Sequence, residues 1–460
     1  MGVADGLIVP FSGEGSGTAR LTWGQQAIWR AFEVCGQPIW LTGITQVPVG
    51  LRASDLADRM AYQMSRHQSL RTRLIVADDA PVKQVVAASG ELELNIVDTA
   101  DGDDPYQVAK AIESGWAEGD GSYDFATAWP VRVTVVRHRG VPVYQVRALS
   151  HIVADSFGVL ALRRDQAEWT PVSGEPPRPV TAMQPLEEAR WQASPAGQRH
   201  NETTGKYWQR LLRTIPARRF PEPADKPQER YCRFFFDSRA AHLAIQAIAA
   251  RTRFGTSSVL LAALAVGMAR ASGVNPLVPR LYVSNRFRPR LADAVSPIAQ
   301  TCPLVIDVAG VTFDEAVRRA YYSSLVAYKH GYFEPVKIRE QVAAVSAERG
   351  EQLDVDFVYN DIRLPSLREV TDSRVGRHDV ETALPLTTLT CVERPAAEDF
   401  CNFTFHDSEA VTYQGSPPTI HATVLVDDHY VPRSWVSRCL REIEASLISA
   451  AFDPNATTGV

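Results

Sequence analysis

The sequence predicts a mixed α/β protein built as two domains. Three observations carry that expectation. The 460 residues exceed one ordinary hydrophobic core and suggest two domains of roughly 200 residues each. Segments with helical and with strand periodicity alternate through both halves. A proline-rich stretch over residues 170–185, with Pro171, Pro176, Pro177, Pro179 and Pro185, separates them. The expected division is therefore residues 1–175 and 176–460. The halves share element content but no visible repeat in sequence, so a duplicated α/β lobe fits without being required.

Residues 1–19 are Gly-rich and read as a loose arm. The first helix starts near Thr22, where Thr22 and Gln25 fit a capping box and Ile28, Trp29 and Phe32 form an apolar stripe. A second starts near Ser54, carries Leu56, Met60 and Met64, and turns strand-like within residues 66–74. Asp104-Pro105 opens a third, with proline at the first helical position and Val108, Ile112 and Trp116 behind it. Residues 131–136 and 141–149 are rich in β-branched side chains, and His138-Arg139-Gly140 between them predicts a hairpin. A helix follows Ser156, with Val159, Leu160 and Leu162. In the second half, strands are expected at 234–236, 281–284, 304–308, 355–359, 402–406 and 422–426. Helices are expected at 238–252, 256–272, 313–329 and 432–450.

Composition narrows the function. A hydrophobic content of 45% is that of a globular protein, and a net charge of −5 with both signs interspersed offers nothing to nucleic acid or an anionic membrane. No apolar run approaches the ~20 residues of a membrane span. Residues 1–12 lack the basic and apolar regions of a signal peptide. The six cysteines are scattered without a C-x-x-C pair, as expected of reduced thiols in a cytoplasmic protein, and no ligand spacing for zinc is present. Gly13-Glu14-Gly15-Ser16-Gly17 has neither dinucleotide nor nucleophile-elbow spacing.

The most chemically suggestive segment is Ser150-His151-Ile152-Val153-Ala154-Asp155-Ser156, between a buried strand and a helix. With 53 acidic residues and 10 histidines, chance supplies about one His-x-x-x-acid match, and His330 with Glu334 is a second. Position and surroundings must therefore carry the argument.

Those surroundings resemble the condensation domains of nonribosomal peptide synthetases, within the wider chloramphenicol-acetyltransferase-like acyltransferases. Residues 21–29 are similar to the family's opening helix, and Arg66-His67-Gln68-Ser69-Leu70-Arg71-Thr72 to its Arg-His-x-x-Leu-Arg-Thr segment. Residues 150–156 are similar to its two-histidine motif, with Ser150 for the first histidine and Ser156 for the glycine. Lys206-Tyr207-Trp208, Asn285-Arg286, residues 297–304 and residues 330–336, where Tyr332 replaces a proline, follow in the family's order. The resemblance implies two chloramphenicol-acetyltransferase-like lobes in a V-shaped pseudo-dimer around a central tunnel. It also implies a free-standing enzyme that binds no cofactor of its own. A peptidyl or acyl carrier protein would bring the donor on its phosphopantetheine arm, and a small-molecule or peptide amine would be the acceptor.

The resemblance nominates His151 as base or positioning residue for acyl transfer, since an imidazole titrates near neutrality. The alternative is a plain hydrogen-bonded structural histidine at a strand end. Asp155 reads as structural, paired with Arg286 to lock the loop and tie the lobes; the alternative is a simple helix cap. Ser150 keeps one hydrogen bond but does not titrate near pH 7. Ser156 adds bulk and a hydroxyl where glycine permits φ > 0, and Gly158 relieves crowding. Tyr359 and Asn360 are candidates to line the acceptor side, against an Asn-Asp turn. His406 beside Asp407 reads as a surface pair. Arg210, Arg213, Arg218 and Arg219 read as a solvated basic face or a carrier contact. Two alternatives stand beside the acyltransferase: a catalytically degenerate module that recruits a partner enzyme or carrier protein, and a coenzyme A-dependent O- or N-acyltransferase.

Overall fold

The structure, a computed structural model, describes residues 3–77, 80–118, 123–168, 178–224, 226–363, 368–370, 375–394, 401–406 and 417–460. Contacts group the chain into two compact units. One comprises Met1–Glu202, Ser284–Gln300 and Tyr332–Val336, and the other Thr203–Val283, Thr301–Gly331 and Lys337–Val460. The division expected at residues 175 and 176 lies outside the described residues. The helix after the proline-rich stretch stays with the first unit, because Trp191 packs edge-on against Trp23 and Gln192 accepts from the Trp23 backbone N–H.

The first unit contains β1 (Val3–Ser12), β2 (Gly17–Arg20), α1 (Trp23–Cys35), β3 (Trp40–Gln46), α2 (Ala53–Arg66), β4 (Thr72–Ala77), β5 (Ala80–Val86), β6 (Ser89–Thr99), α3 (Pro105–Glu118), β7 (Val131–His138), β8 (Val141–Ser150), α4 (Ser156–Ala167), α5 (Pro185–Ala193) and the first turns of α6 (Pro195–Leu212). Its main sheet has the order β1-β6-β7-β8-β3, parallel only between β6 and β7; β2, β5 and β4 form a small second sheet. Side chains alternate across the strands and build two cores. Val131, Val133 and Val135 of β7 pack with Leu92, Leu94 and Ile96 of β6 under α2 and α4. Val136 and Val146 pack on the other face with Val108 and Ile112 of α3. Met60 and Met64 of α2 are 1% and 0% exposed, a burial that stabilises by roughly 1.5–3 kcal/mol per side chain.

Of the arm expected at residues 1–19, the described residues 3–19 are not loose. β1 pairs antiparallel with β6 and buries Val9 and Phe11. Pro10 is tolerated because β1 is an edge strand, where its missing N–H costs no ladder bond. The capping box forms as expected, Thr22 Oγ1 accepting from Gln25 N at 3.3 Å and Gln25 Oε1 from Thr22 N at 2.9 Å. The hairpin turn places Arg139 and Gly140 at φ 51° and 78°, the left-handed pair that matches strand twist.

The second unit contains the rest of α6, β9 (Tyr231–Ser238), α7 (Arg239–Thr252), α8 (Thr256–Ser272), β10 (Arg280–Val283), β11 (Gln300–Pro303) after its first residue, α9 (Phe313–Lys329), α10 (Pro335–Arg349) after its first two residues, β12 (Phe357–Asp361), α11 (Arg377–Ala383), β13 (Thr388–Arg394), β14 (Cys401–His406), β15 (Ile420–Asp427) and α12 (Arg433–Ala451). Its sheet has the order β11-β10-β12-β14-β15-β9-β13. The strand expected at 304–308 is only an isolated bridge between Leu277 and Ile306; the ladder forms earlier, at β11. α8 is apolar all round and buried among α7, α9 and α12. Among the described residues no single helix is long and apolar enough to cross a membrane.

Candidate functional site

The site begins where β8 ends. Ser150 N donates to Pro130 O and His151 N to Ile39 O, both at 2.9 Å, so the chain leaves the sheet under backbone control. Val153 N then closes a turn onto Ser150 O at 3.0 Å, and Asp155 starts α4 as its N-cap. His151 sits at the apex, part of its surface open and its Nδ1 buried without a hydrogen-bond partner. Burial pushes the imidazole below its ordinary value, against the opposing pull of the local backbone and the Asp155 charge. At pH 7 the ring is therefore neutral.

Asp155 is saturated. Its Oδ1 accepts from Gly158 N at 2.7 Å and from Arg286 Nη2 at 2.5 Å; its Oδ2 accepts from Ile298 N and Ala299 N, both at 3.0 Å. Helix cap and arginine brace, expected as alternatives, are both present. Arg286 Nη1 donates to the carbonyls of Leu291, Ala292 and Ala294 at 3.3, 3.3 and 2.8 Å. The two side chains are only 7% and 9% exposed. The expected tie between lobes is corrected in one respect: Arg286 lies in Ser284–Gln300, which belongs to the first unit, so the brace is internal to that unit. Asn285 supports it from φ 57°, a left-handed position that asparagine tolerates, and donates Nδ2 to Ile298 O at 3.0 Å.

The two serines differ in consequence. Ser150 is fully buried and its hydroxyl finds no partner, a cost of about 1–3 kcal/mol. Ser156 is exposed as the first residue of α4 and has no positive φ, so the glycine freedom expected to matter there is not used. Gly158 is the tighter position: a Cβ would crowd Ala154 Cβ at 3.3 Å and meet Arg286 Nη2 in ordinary contact at 3.5 Å.

The structure thus gathers Ser150, His151, Asp155, Ser156, Gly158 and Arg286 in one unit. Tyr359 and Asn360 lie on β12 of the other. Tyr359, expected to line the site, is 1% exposed in that unit's core with its ring against Phe405; Asn360 is half-buried on the opposite face. Of the four arginines read as a basic face, Arg210, Arg213 and Arg218 are exposed, the latter two paired with Glu348 and Glu222, while Arg219 leaves the face and is buried on Asp354. His330 stacks on Tyr207 at 4.4 Å. His406 bonds the Thr423 hydroxyl at 2.8 Å, and Asp407 lies outside the described residues.

Sequence reasoning missed a second buried carboxyl. Glu188 of α5 is fully buried; its Oε1 accepts from Tyr332 Oη at 2.7 Å and Gln192 Nε2 at 3.1 Å, its Oε2 from Ser296 Oγ at 2.9 Å. Burial pushes it up to about 7. The one available signal was tyrosine at the position where the resembled motif has proline.

The mixed α/β fold is that of the chloramphenicol-acetyltransferase-like proteins. The condensation-domain profile matches residues 20–383, and the chain belongs to the condensation-domain family. The phosphinothricin tripeptide synthetase PhsC of Streptomyces viridochromogenes is 24% identical over 67% of this chain and 29% of its own length. The isonitrile lipopeptide synthase of Mycobacterium tuberculosis is 28% identical over 60% and 11%. The chain thus spans less than a third of either relative. The X-domain from teicoplanin biosynthesis superposes with a TM-score of 0.68 at 19% identity, covering 97% of this chain and 98% of that one. The SgcC5 protein of Streptomyces globisporus gives 0.66 at 17%, covering 95% and 100%. Condensation domains generally catalyse amide-bond formation and work with carrier proteins and acceptor substrates.

Proposed function

We propose that the chain is a condensation-type acyltransferase of specialised peptide metabolism. It joins an acyl or aminoacyl thioester, held on the phosphopantetheine arm of a carrier protein, to an amine; a hydroxyl is the lesser acceptor. One observation carries the reading. His151 is the titratable group of the β8–α4 turn that is not committed to bracing, and burial keeps it neutral and able to accept a proton. The amine nitrogen attacks the thioester carbonyl, the C–N bond forms and the C–S bond breaks. The amine proton passes to His151 and from there to the departing thiolate. Such a base contributes about 10²–10⁴-fold in rate. Asp155 has all its acceptor positions filled; it holds α4 and residues 286–299 in register.

The test supplies matched carrier-bound and coenzyme A-bound acyl donors with an amine and reads the product by intact mass. His151→Ala is expected to slow product formation by about 10²–10⁴-fold. An unchanged rate overturns the catalytic role. Equal turnover of the free coenzyme A thioester overturns carrier dependence.

The unpartnered Ser150 hydroxyl favours a second reading, a recruiting module that keeps the fold without the chemistry. The X-domain from teicoplanin biosynthesis, of the same fold, has been solved in complex with OxyB. Absence of product from the wild-type chain with both donor types, while the chain still binds a carrier protein, supports that reading.

A further inference from the structure

Two carboxyl groups hold one short piece of the first unit. Asp155 accepts from the backbone N–H groups of Ile298 and Ala299; Glu188 accepts from the side chain of Ser296, two residues earlier. The Ser296 carbonyl also accepts from Arg286 Nη2 at 3.4 Å. The segment that completes the Asp155 brace is therefore shared between an acid with a cation and an acid without one.

The surroundings of Glu188 make that asymmetry consequential. Its three donors are neutral: the Tyr332 hydroxyl, the Gln192 amide and the Ser296 hydroxyl. Gln192 is itself fixed, 2.8 Å from Tyr332 Oη and accepting from Trp23 N. Among the described residues no cation pairs with Glu188. Arg288 lies over the Tyr332 ring at 5.4 Å, Arg290 is held by Glu187, and Arg286 is engaged with Asp155. His200 bonds the Tyr332 carbonyl at 2.9 Å rather than the acid. The Asp155 charge opposes ionisation of Glu188 and the Arg286 charge favours it. As a neutral acid, Glu188 gives its proton to one hydroxyl and keeps two acceptor bonds. Ionised, it is a buried charge with no counter-ion, which costs free energy even when hydrogen-bonded.

We propose that Glu188 is a positioning residue whose protonation governs how firmly residues 296–299 grip Asp155: neutral Glu188 holds the segment closed and ionised Glu188 loosens it. The device acts through Ser296, the one side chain bridging Glu188 to the braced segment. Burial lifts the acid to about 7, so the change falls near neutral pH. The sign follows from linkage: an acid raised by folding stabilises while it is protonated, and that contribution is lost as pH rises through the folded value.

Amide hydrogen exchange of the full chain tests it. Rates at Ile298 and Ala299, corrected for intrinsic pH dependence, are compared from about pH 5.5 to 8.5. In the wild type, opening is expected to increase about tenfold or more across this range, and in Glu188→Gln to stay flat. Ser296→Ala, which keeps Glu188 but cuts its link, should also flatten the response and serves if the first variant fails to fold. A flat wild type, or an unchanged slope in either variant, overturns the proposal. The activity arm rests on the acyltransferase reading. Wild-type turnover should decline above about pH 7 more steeply than that of Glu188→Gln, which a merely structural role would not produce. Product formation with pH-independent exchange sinks the proposal and spares that reading; pH-dependent exchange without product does the reverse.

Discussion

Asp155 accepts four hydrogen bonds with two oxygens, and that saturation decides its role. An acid with four acceptor bonds and a guanidinium at 2.5 Å is a brace. Asp155→Asn removes the charge while keeping much of the shape. It leaves Arg286 buried as an unpaired cation, so unfolding stability should drop by roughly 3–5 kcal/mol, read from the urea midpoint. Arg286→Lys should fail to restore it. One ammonium does not replace a planar fork that reaches Asp155 and the carbonyls of Leu291 and Ala294 together. A midpoint within error of wild type for either variant refutes the brace. His151 and Asp155 were legible because a strand end, a histidine and a helix cap fall within six residues. Glu188 was not. Nothing distinguishes it locally from Glu187, which is ion-paired to Arg290 on the exposed side, and its partners Ser296 and Tyr332 lie 108 and 144 residues away.

At the scale of elements, α1 shows how a motif read as a helix start serves a distant segment. The capping box fixes where α1 begins, and Gly24 then lets the helix touch residues 297–298. A Cβ there would lie 1.4 Å from the Pro297 carbonyl oxygen, and backbone does not swing aside as a side chain does. Gly24→Ala should therefore cost about 3 kcal/mol or more. Gly115 of α3 is the control: its Cβ would meet nothing within 4 Å, so Gly115→Ala should be neutral or stabilising by about 0.5–1 kcal/mol. Thermal midpoints of the two variants check this, and equal shifts would refute the close approach. Elements with a clean period were legible, as in β14 and β15, where buried and half-buried side chains alternate; α8 was legible from its unbroken apolar run instead. β1 was hidden by Gly6, Pro10 and the glycines after Ser12, although Val9 and Phe11 reach the core. α5 and α6 were hidden for a different reason. They are largely polar, and tertiary contacts hold them, such as Gln192 on Trp23 and Asn201 Oδ1 accepting from Glu334 N at 2.9 Å.

Among the buried titratable groups of the described residues, His242 and Glu188 lie one in each unit and shift in opposite directions, and no local sequence pattern reports either. His242 of α7 is 7% exposed. Burial, then the charges of Arg363 and Arg239, push it down to about 4. Unfolding frees it to bind a proton near pH 6.5, so its unfavourable contribution grows as pH falls from about 6.5 to 4. Glu188 moves the other way. Folding raises it to about 7, so its stabilising neutral form is complete below the usual carboxylate range and lost as pH rises through 7. Shifts of this size correspond to roughly 3 kcal/mol each, large against the 5–15 kcal/mol of a typical domain. Across about pH 4.5 to 7 the two oppose, so wild-type stability alone reveals neither. Differences against variants do. The stability of wild type minus His242→Gln should rise with pH over this window, and that of wild type minus Glu188→Gln should fall. Exchange of core amides reads each unit separately, in α8 for the histidine and in β7 for the glutamate. Parallel slopes, or a pH-independent difference for either variant, would show that the corresponding group is not held in the protonation state its burial demands.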